Sequence, residues 1–358
     1  MNSFGQIYRT TIFGASHDLA IGCAVDGCPP GVRILKEEIQ KQLDRRRPGG
    51  SDLSSPRKEK DRIEVLSGLL DGKTTGGPIA AIVRNKDVQP SAYEAFRNVP
   101  RPGHADFTAS VKYKGHQDIR GGGTFSGRMT IPIVISGSIA SQVMKPNGIR
   151  IAAHSLRIGR VWAKSNPPVP NIERIARKNS VACADPTVAK LMKEEILDAK
   201  REKDSVGGII ECIMTGLPVG VGEPFFDSVE GVLSHLLFSI PAVKGIEFGA
   251  GFQVAEMRGS ENNDAFDIRN GKIITRTNNA GGILGGISNG MPVILRVAVK
   301  PTPSIGKSQR SINLKEKKVT DLEIAGRHDP CIVPRAVPVV ESAVAMGILD
   351  LMLVGGIL

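Results

Sequence analysis

Residues 336–354, AVPVVESAVAMGILDLMLV, form the stretch that decides the fold. Its side chains are almost all apolar, and it is long enough for about five turns of helix. A helix that is apolar on every side has to be buried. We therefore expect this helix to pack either deep in the protein or in a subunit interface.

A second apolar stretch, GRMTIPIVISGSIASQVMK at 127–145, predicts another helix. Pro132 would either kink that helix or lie in its first turn. A further helix is expected to begin with Asp185 as its N-cap and Pro186 at the first helical position. That helix is predicted to cover residues 185–204. Two more helices are predicted at residues 34–46 and 226–240.

Apolar, β-branched runs between these helices predict strands. The runs lie at residues 7–13, 20–25, 78–83, 149–158, 207–216, 244–249 and 292–299. Helices and strands do not alternate regularly enough for a doubly wound sheet. We therefore predict an α+β protein, and we expect residues 1–358 to form one domain because no low-complexity linker divides the chain.

The composition is that of a globular protein with a sizeable core, since 41% of its 358 residues are apolar. No run of about 18 apolar residues predicts a membrane span, and the N-terminus lacks the pattern of a signal peptide. The five cysteines form no Cys-x-x-Cys pair, which indicates reduced, buried thiols. These features predict a cytoplasmic location and no membrane partner.

The net charge of +11 admits two interpretations, namely binding of nucleic acid or attraction of an acidic small substrate. Lysines are concentrated with Glu and Asp in helical stretches such as KLMKEEILDAKREKD, which is typical of a solvated face. Zinc-finger spacing, RNP-like aromatic strands and basic heptads do not occur. The pattern favours a small anionic ligand and no nucleic acid, with a basic nucleic-acid-binding protein as the alternative from another class.

Six loop regions combine glycine or proline with charged or imidazole side chains, and such loops usually carry function. They cover residues 13–22, 43–50, 99–107, 120–130, 278–290 with 300–307, and 325–338. His17, His104 and His328 lie in these loops and could act as acid or base near neutral pH. The other three histidines are interpreted as structural or surface residues: His116, His154 and His235.

Two of these loops are suited to anions. The consecutive arginines at 45–47 exceed what capping a helix dipole needs, so at least one could pair with a phosphate or carboxylate. The glycines at 121–123 could direct backbone N–H groups at an anion, with Ser126 and the following helix start extending the site. A tight packing turn is the alternative for these glycines.

Several common catalytic motifs are missing from the sequence, namely the P-loop, G-x-G-x-x-G, H-E-x-x-H and G-x-S-x-G. Hydride transfer on a dinucleotide-binding domain, zinc-protease chemistry and serine-hydrolase chemistry therefore lose support, and no metal site is expected. What remains is an anion-binding lyase or transferase that uses histidine as acid or base.

Nine segments, in order over nearly the whole chain, resemble the chorismate synthase family. They are G-x-SH within FGASHDLAIGCAVDGCPPG, LDRRRPG, RPGHAD, GGG-x-x-S-x-R, VGEPFFD, SIPAVKGIEFG, NNAGGILGGISNG, KPTPSI and GRHDPC-x-x-PRAVP. The resemblance implies a β-α-β sandwich core and a homotetramer. It also implies conversion of 5-enolpyruvylshikimate 3-phosphate to chorismate and phosphate, the last step of the shikimate pathway, by an anti-1,4 elimination. This reaction requires reduced FMN without net redox change, and NADPH is a candidate reductant.

The resemblance further implies four catalytic residues. His17, next to Ser16, corresponds to the residue that protonates the departing phosphate. His104 corresponds to the residue that stabilises the anionic reduced flavin by protonation or hydrogen bonding. Asp329, helped by Ser16, corresponds to the residue that takes a proton from the N5 region of the flavin.

Ligand-binding positions follow from the same resemblance. The positions that match flavin contacts are Thr124, Phe125, Ser126, Pro241, Ala242, Gly285, Lys300, Pro301, Thr302, Pro303, Ser304 and Arg327. The positions that match contacts to the anionic substrate are Arg46, Arg128 and Arg327.

The chain departs from the commonest family pattern at a few positions near these sites. Ala15 stands where many members have an acidic residue, Asp18 where many have Gly, and Asp52 where many have Arg. TFSGRMT replaces a basic residue followed by S-S-A-R-E-T. The two catalytic histidines and Asp329 are unaffected. A flavin-dependent oxidoreductase with net electron transfer is a further alternative.

Overall fold

Two five-stranded antiparallel sheets lie on either side of a layer of helices. The computed structural model describes residues 2–49, 53, 59–86, 95–324 and 328–358. The strands of the described chain are β1 (Ser3–Phe4), β2 (Arg9–Gly14), β3 (Ala20–Asp26), β4 (Ile63–Val65), β5 (Leu69–Leu70), β6 (Lys73–Thr74), β7 (Ile79–Arg84), β8 (Arg150–Ile158), β9 (Val161–Trp162), β10 (Gly208–Thr215), β11 (Val243–Phe248), β12 (Phe266–Arg269), β13 (Lys272–Thr275), β14 (Ile283–Leu284), β15 (Ile287–Ser288), β16 (Val293–Val299), β17 (Gln309–Asn313) and β18 (Lys318–Leu322). The helices are α1 (Lys36–Arg46), α2 (Asp106–Lys112), α3 (Ile131–Met144), α4 (Val169–Ile175), α5 (Pro186–Arg201), α6 (Val229–Ser239), α7 (Gly259–Asn262) and α8 (Val333–Val354).

The two large sheets draw on different parts of the chain. The first has the strand order β1-β2-β3-β7-β4, with Cys23 opposite both Ile12 and Ala81. The second has the order β11-β16-β10-β8-β9, with Cys212 opposite Leu295. Four two-stranded hairpins, β5–β6, β12–β13, β14–β15 and β17–β18, extend from this framework.

Helices α3 and α8 form the middle of the sandwich. Helix α3 packs on β2, β3 and β7 of the first sheet, while α8 packs on β8 and β10 of the second. The two helices also pack on each other, at a point where Gly137 meets Ser342. A Cβ at Gly137 would lie 2.2 Å from the Ser342 carbonyl oxygen, so only glycine lets the helices come this close. The α+β class and the β-α-β sandwich core are confirmed.

Helix α8 is a core helix. By length and composition it could cross a membrane, but 89% of its apolar window is buried inside the protein. The sequence of α8 is not an uninterrupted apolar run, because Glu341 and Asp350 lie within it. Both carboxylates are buried and partnered: Glu341 accepts from the Ala153 amide at 2.9 Å and pairs with Arg45.

The main elements expected from the sequence are present. Each predicted strand run overlaps one of the strands β2, β3, β7, β8, β10, β11 and β16, with ends that differ by at most two residues. Pro132 lies in the first turn of α3, which resolves that alternative. The Asp185 carboxylate caps α5 by accepting from the Thr187 amide at 2.8 Å, and Pro186 opens the helix. All five cysteines are free thiols and buried, as expected.

Candidate active site

The glycines at 121–123 form the centre of the candidate site. All three have positive φ, at 61°, 85° and 53°, which side chains other than glycine rarely adopt. A Cβ at Gly121 would lie 2.4 Å from both the His17 Cε1 and the Ser16 Oγ. A Cβ at Gly122 would lie 3.6 Å from the Cε1 and Nε2 of His104. The loop therefore brings the two predicted catalytic histidines to neighbouring residues.

Ser16 and His17 follow the end of β2 and are buried, with 3% and 8% of their surface exposed. The His17 Nδ1 lies 3.2 Å from the Ser16 Oγ. The Ser16 amide also donates to the Gly123 carbonyl at 3.4 Å, which ties this pair to the glycine loop. Ser16 and His17 therefore contact each other and lie against the glycine loop.

His104 belongs to a second cluster, just before α2. Its Nδ1 lies 2.6 Å from the Asp106 Oδ1 and 3.1 Å from the Arg101 Nη2. Arg101 is buried and donates to both oxygens of Asp106 at 2.8 Å. Burial opposes ionisation of Asp106, but hydrogen bonds from Arg101 and His104 outweigh it and hold the pKa of this carboxyl below its usual range.

Segments 241–242 and 300–304, both expected to contact flavin, lie next to the His104 cluster. The Lys300 amide donates to the Ala242 carbonyl at 2.9 Å, and the Lys300 Nζ donates to the Gly103 carbonyl at 2.5 Å. Arg101 donates to the Ser304 Oγ at 3.3 Å. Partial burial, together with the positive charge of Lys244, lowers the pKa of Lys300. The fold therefore joins these two segments to the 101–104 turn.

Thr302 has a buried hydroxyl for which the described part of the chain supplies no hydrogen-bond partner. Its carbonyl, in contrast, accepts from the Ser205 Oγ at 2.7 Å. A buried hydroxyl without a partner is costly in a folded protein, so this atom marks a place for a polar ligand.

The stretch from Thr124 to Ser126 continues directly from the glycines. Thr124 and Phe125 are exposed, and the Phe125 ring lies 6.3 Å from the ring of Tyr113. The Ser126 Oγ accepts from the Arg128 amide at 3.3 Å and so caps the short 3-10 helix that leads into α3. Ser126 therefore caps the helix start that follows the glycines, and its part in binding an anion stays a prediction.

Gly285 lies in the β14–β15 hairpin, in a different setting. Its neighbour Gly286 approaches Glu223 and Ser228, and the Gly286 carbonyl accepts from the Val229 amide at 2.9 Å. This hairpin therefore contacts the VGEPFFD segment through Glu223. The role of Gly285 in flavin binding stays a prediction.

Arg46 and Arg128 meet at one buried carboxylate. The Asp61 Oδ2 accepts from Arg46 at 3.4 Å, and its Oδ1 accepts from Arg128 at 3.2 Å. Glu59 also pairs with Arg128. Burial lowers the pKa of Arg46 to about 10, assisted by the charge of Arg335, and burial raises the pKa of Asp61. The two arginines thus form one charged cluster, although their contact with substrate stays a prediction.

The three consecutive arginines each pair with a different carboxylate. Arg45 pairs with Glu341, Arg46 with Asp61, and Arg47 lies 3.5 Å from Asp44. Each arginine therefore meets a carboxylate of the protein itself.

Asp329 lies at the start of α8 beside the Arg46 cluster. It pairs with Arg335, whose Nε donates to the Arg46 carbonyl at 3.0 Å. Arg327 and Asp52 fall outside the described residues.

Sequence reasoning missed the side chains that hold the site together. Asp61 and Asn85 lie in segments without a distinctive motif: Asn85 accepts from Arg128 at 3.0 Å and donates to the Ala15 carbonyl at 3.0 Å. Asp106 belongs to the RPGHAD segment, from which only His104 was expected to act. Its separation by two residues from a loop histidine was the available signal.

Comparison with known proteins places the chain in a family. The sequence model of chorismate synthase matches residues 8–353. The chorismate synthase of Methanocaldococcus jannaschii is 50% identical over 99% of this chain and 97% of its own length. That of Dehalococcoides mccartyi is 48% identical over 100% and 98%. A crystal structure of a chorismate synthase has a TM-score of 0.78 at 27% identity, covering 98% of this chain and 93% of its own. The chain therefore belongs to the chorismate synthase family of lyases.

Proposed function

We propose that this enzyme converts 5-enolpyruvylshikimate 3-phosphate to chorismate and phosphate by an anti-1,4 elimination in the presence of reduced FMN. The observation that carries the proposal is the glycine loop, where Gly121 adjoins Ser16 and His17 and Gly122 adjoins His104. Two groups able to move protons thereby flank one stretch of open backbone.

The charge of the site suits this substrate, which carries one phosphate and two carboxylates. Arg46 and Arg128 form a charged cluster with Asp61, one short turn away from Ser126. Arginine forms paired hydrogen bonds with phosphate and carboxylate, so these side chains are our candidates for substrate binding. The net charge of +11 supplies a field that attracts a trianion.

His17 is our candidate for the acid that protonates the departing phosphate. A phosphate leaves more readily when a proton reaches its bridging oxygen, and a positioned imidazole typically accelerates such a step by about 10²–10⁴-fold. Ser16, 3.2 Å from the His17 Nδ1, fixes the ring orientation. Asp329 beside Arg335 is our candidate for the proton acceptor on the flavin side.

The residues around His104 fit a flavin. Lys300 supplies a cation, Ser304 a hydroxyl already bound to Arg101, and Thr302 a buried hydroxyl that lacks a partner in the described ranges. Backbone at 124–126 and 241–242 completes the set expected to hold the group. Reduced FMN, when bound, supplies an electron-rich ring system beside the substrate and an acceptor for the ring proton. His104 would stabilise the negative charge of that ring system once its Nε2 carries a proton.

The proposal also covers the domain organisation, the assembly and the location of the enzyme. Residues 1–358 act as one domain, since the main apolar core contains residues of both sheets and of helices α1, α3, α6 and α8. The enzyme assembles as a homotetramer and works in the cytoplasm, as implied by its resemblance to the family.

The decisive experiment is an anaerobic turnover assay with the purified protein and the phosphorylated substrate. One arm contains chemically reduced FMN, and the other contains oxidised FMN with NADPH. Release of phosphate and chorismate in the first arm is expected, and no product there would refute the proposal. Product in the second arm would assign NADPH as a reductant.

The turnover assay and a gel-shift experiment separate the alternatives. A flavin-dependent oxidoreductase with net electron transfer would consume one equivalent of reductant per product, whereas the proposed elimination consumes none. A nucleic-acid-binding protein would retard duplex or single strands in a gel and would release them steeply as salt rises.

A further inference from the structure

The contact between His104 and Asp106 sets the protonation of the imidazole. The His104 Nδ1 lies 2.6 Å from the Asp106 Oδ1, which is a short distance for a nitrogen and a carboxylate oxygen. Without a proton between them, two acceptors would face each other at this distance. The proton therefore resides on Nδ1 and is donated to Asp106.

Arg101 keeps Asp106 in the state that this arrangement requires. Its Nε and Nη2 donate to the two carboxylate oxygens at 2.8 Å, and its backbone amide adds a third hydrogen bond at 3.0 Å. The guanidinium is fixed in turn by the Ser304 Oγ at 3.3 Å and by the Phe96 ring at 4.6 Å. Asp106 is thus held ionised and accepts hydrogen bonds only.

Arg101 is also a competitor for the same nitrogen, since its Nη2 lies 3.1 Å from the His104 Nδ1. Donation from Arg101 would need an unprotonated Nδ1. The contact with Asp106 is shorter by half an ångström, and a proton on Nδ1 prevents two acceptors from facing each other there. Asp106 therefore determines the tautomer.

We propose that Asp106 is a positioning residue that holds His104 with its proton on Nδ1 and so leaves Nε2 as the atom facing the glycine loop. Gly122 defines that direction, because a Cβ there would lie 3.6 Å from the His104 Nε2 and Cε1. The role in catalysis rests on the proposed function. Neutral His104 presents a hydrogen-bond acceptor to the loop, and it can take up a proton on Nε2 while Asp106 stabilises the resulting imidazolium.

Solid-state ¹⁵N NMR of protein labelled at the histidine imidazoles tests the tautomer directly. The signals of His104 are those that disappear in His104→Ala. We expect the neutral ring of the wild-type protein, without substrate or flavin, to carry its proton on Nδ1. A neutral ring protonated on Nε2 would overturn the proposal, even if no variant folded.

Asp106→Asn is the informative variant. The asparagine amide can donate to Nδ1, so the ring proton is expected to move to Nε2, and kcat is expected to fall about 10²-fold with KM nearly unchanged. The matched control is Asp267→Asn, which removes an arginine-bound carboxylate on the exposed β12–β13 hairpin. An unchanged tautomer, or an unchanged kcat despite the altered tautomer, would overturn the positioning role.

The NMR part of the test does not depend on the proposed function. The tautomer is measured without any reaction, so it holds or fails whether or not the wild-type enzyme forms chorismate. If the tautomer is as expected and the wild-type enzyme forms no chorismate, the error lies in the proposed function.

Discussion

The carboxylate of Asp350 accepts a hydrogen bond from the backbone amide of Tyr8 at 2.9 Å, joining the last helix to the turn between β1 and β2. The same carboxylate also accepts from the amides of Gln6 and Ile7, and the nearest oxygen lies 2.9 Å from each nitrogen. One buried charge in α8 thereby satisfies three consecutive amides that no strand partner reaches.

Asp350→Ala is expected to reduce the free energy of unfolding by about 3 kcal/mol, because it leaves the buried Tyr8 amide and the two amides before it without an acceptor. Urea denaturation followed by circular dichroism measures the change. Asp267→Ala, at an exposed carboxylate that accepts from the Ile268 amide, serves as the control and should change stability by less than about 0.5 kcal/mol. Equal effects of the two substitutions would contradict the role of Asp350.

Gly121→Ala is expected to reduce turnover by about 10²-fold while the protein remains folded. The new Cβ would lie 2.4 Å from the His17 Cε1 and so displace the imidazole. Gly115→Ala is the matched control, since Gly115 also has a positive φ, at 81°, but a Cβ there would meet no atom within 4 Å. Comparable loss of turnover in both variants would show that backbone strain, not contact with His17, is responsible.

His17→Ala and His104→Ala are each expected to lower kcat by about 10²–10⁴-fold, the usual contribution of a positioned acid or base. The anaerobic assay with reduced FMN gives the rates. His116→Ala removes an exposed histidine and should leave kcat unchanged. A rate within about twofold of wild type for His17→Ala or His104→Ala would refute the role of that residue.

The cysteines should be inert in the folded protein. Burial raises the pKa of Cys23 and Cys331 to about 12 and that of Cys28 and Cys183 to about 11, and it also raises the pKa of Cys212. At pH 8 a thiol with a pKa of 11 is ionised in about one molecule in a thousand, against roughly a quarter for an ordinary cysteine.

A disulfide reagent at pH 8 should therefore label five thiols promptly in denaturant and almost none in the native protein. The raised pKa values also make the stability of the folded protein depend on pH. Unfolded cysteines lose protons from a pH of about 8.5 upward while the buried ones do not, so stability should decline as the pH rises above that value. Rapid labelling of one native thiol would contradict its burial.

Local patterns predicted much of the framework. The β-branched run at 292–299 became β16, and the Asp185–Pro186 pair started α5 where expected. These features depend on neighbours in the chain, because strand propensity and helix capping act over a few residues. The apolar character of 336–354 likewise required burial, but two settings for that helix remained open. The contacts of α8 with both α3 and the second sheet place it in the core.

The sequence by itself determined the loops that carry His17 and His104, the strands that support them and the family to which the chain is similar. Only the tertiary structure decided that Gly121 and Gly122 bring these histidines to adjacent positions and that Asp61 joins Arg46 to Arg128. It also decided that Asp106 meets the Nδ1 of His104. The physical reason is range: helix and strand signals act between near neighbours, whereas a site is assembled by close packing and buried charge pairing between segments far apart in the chain.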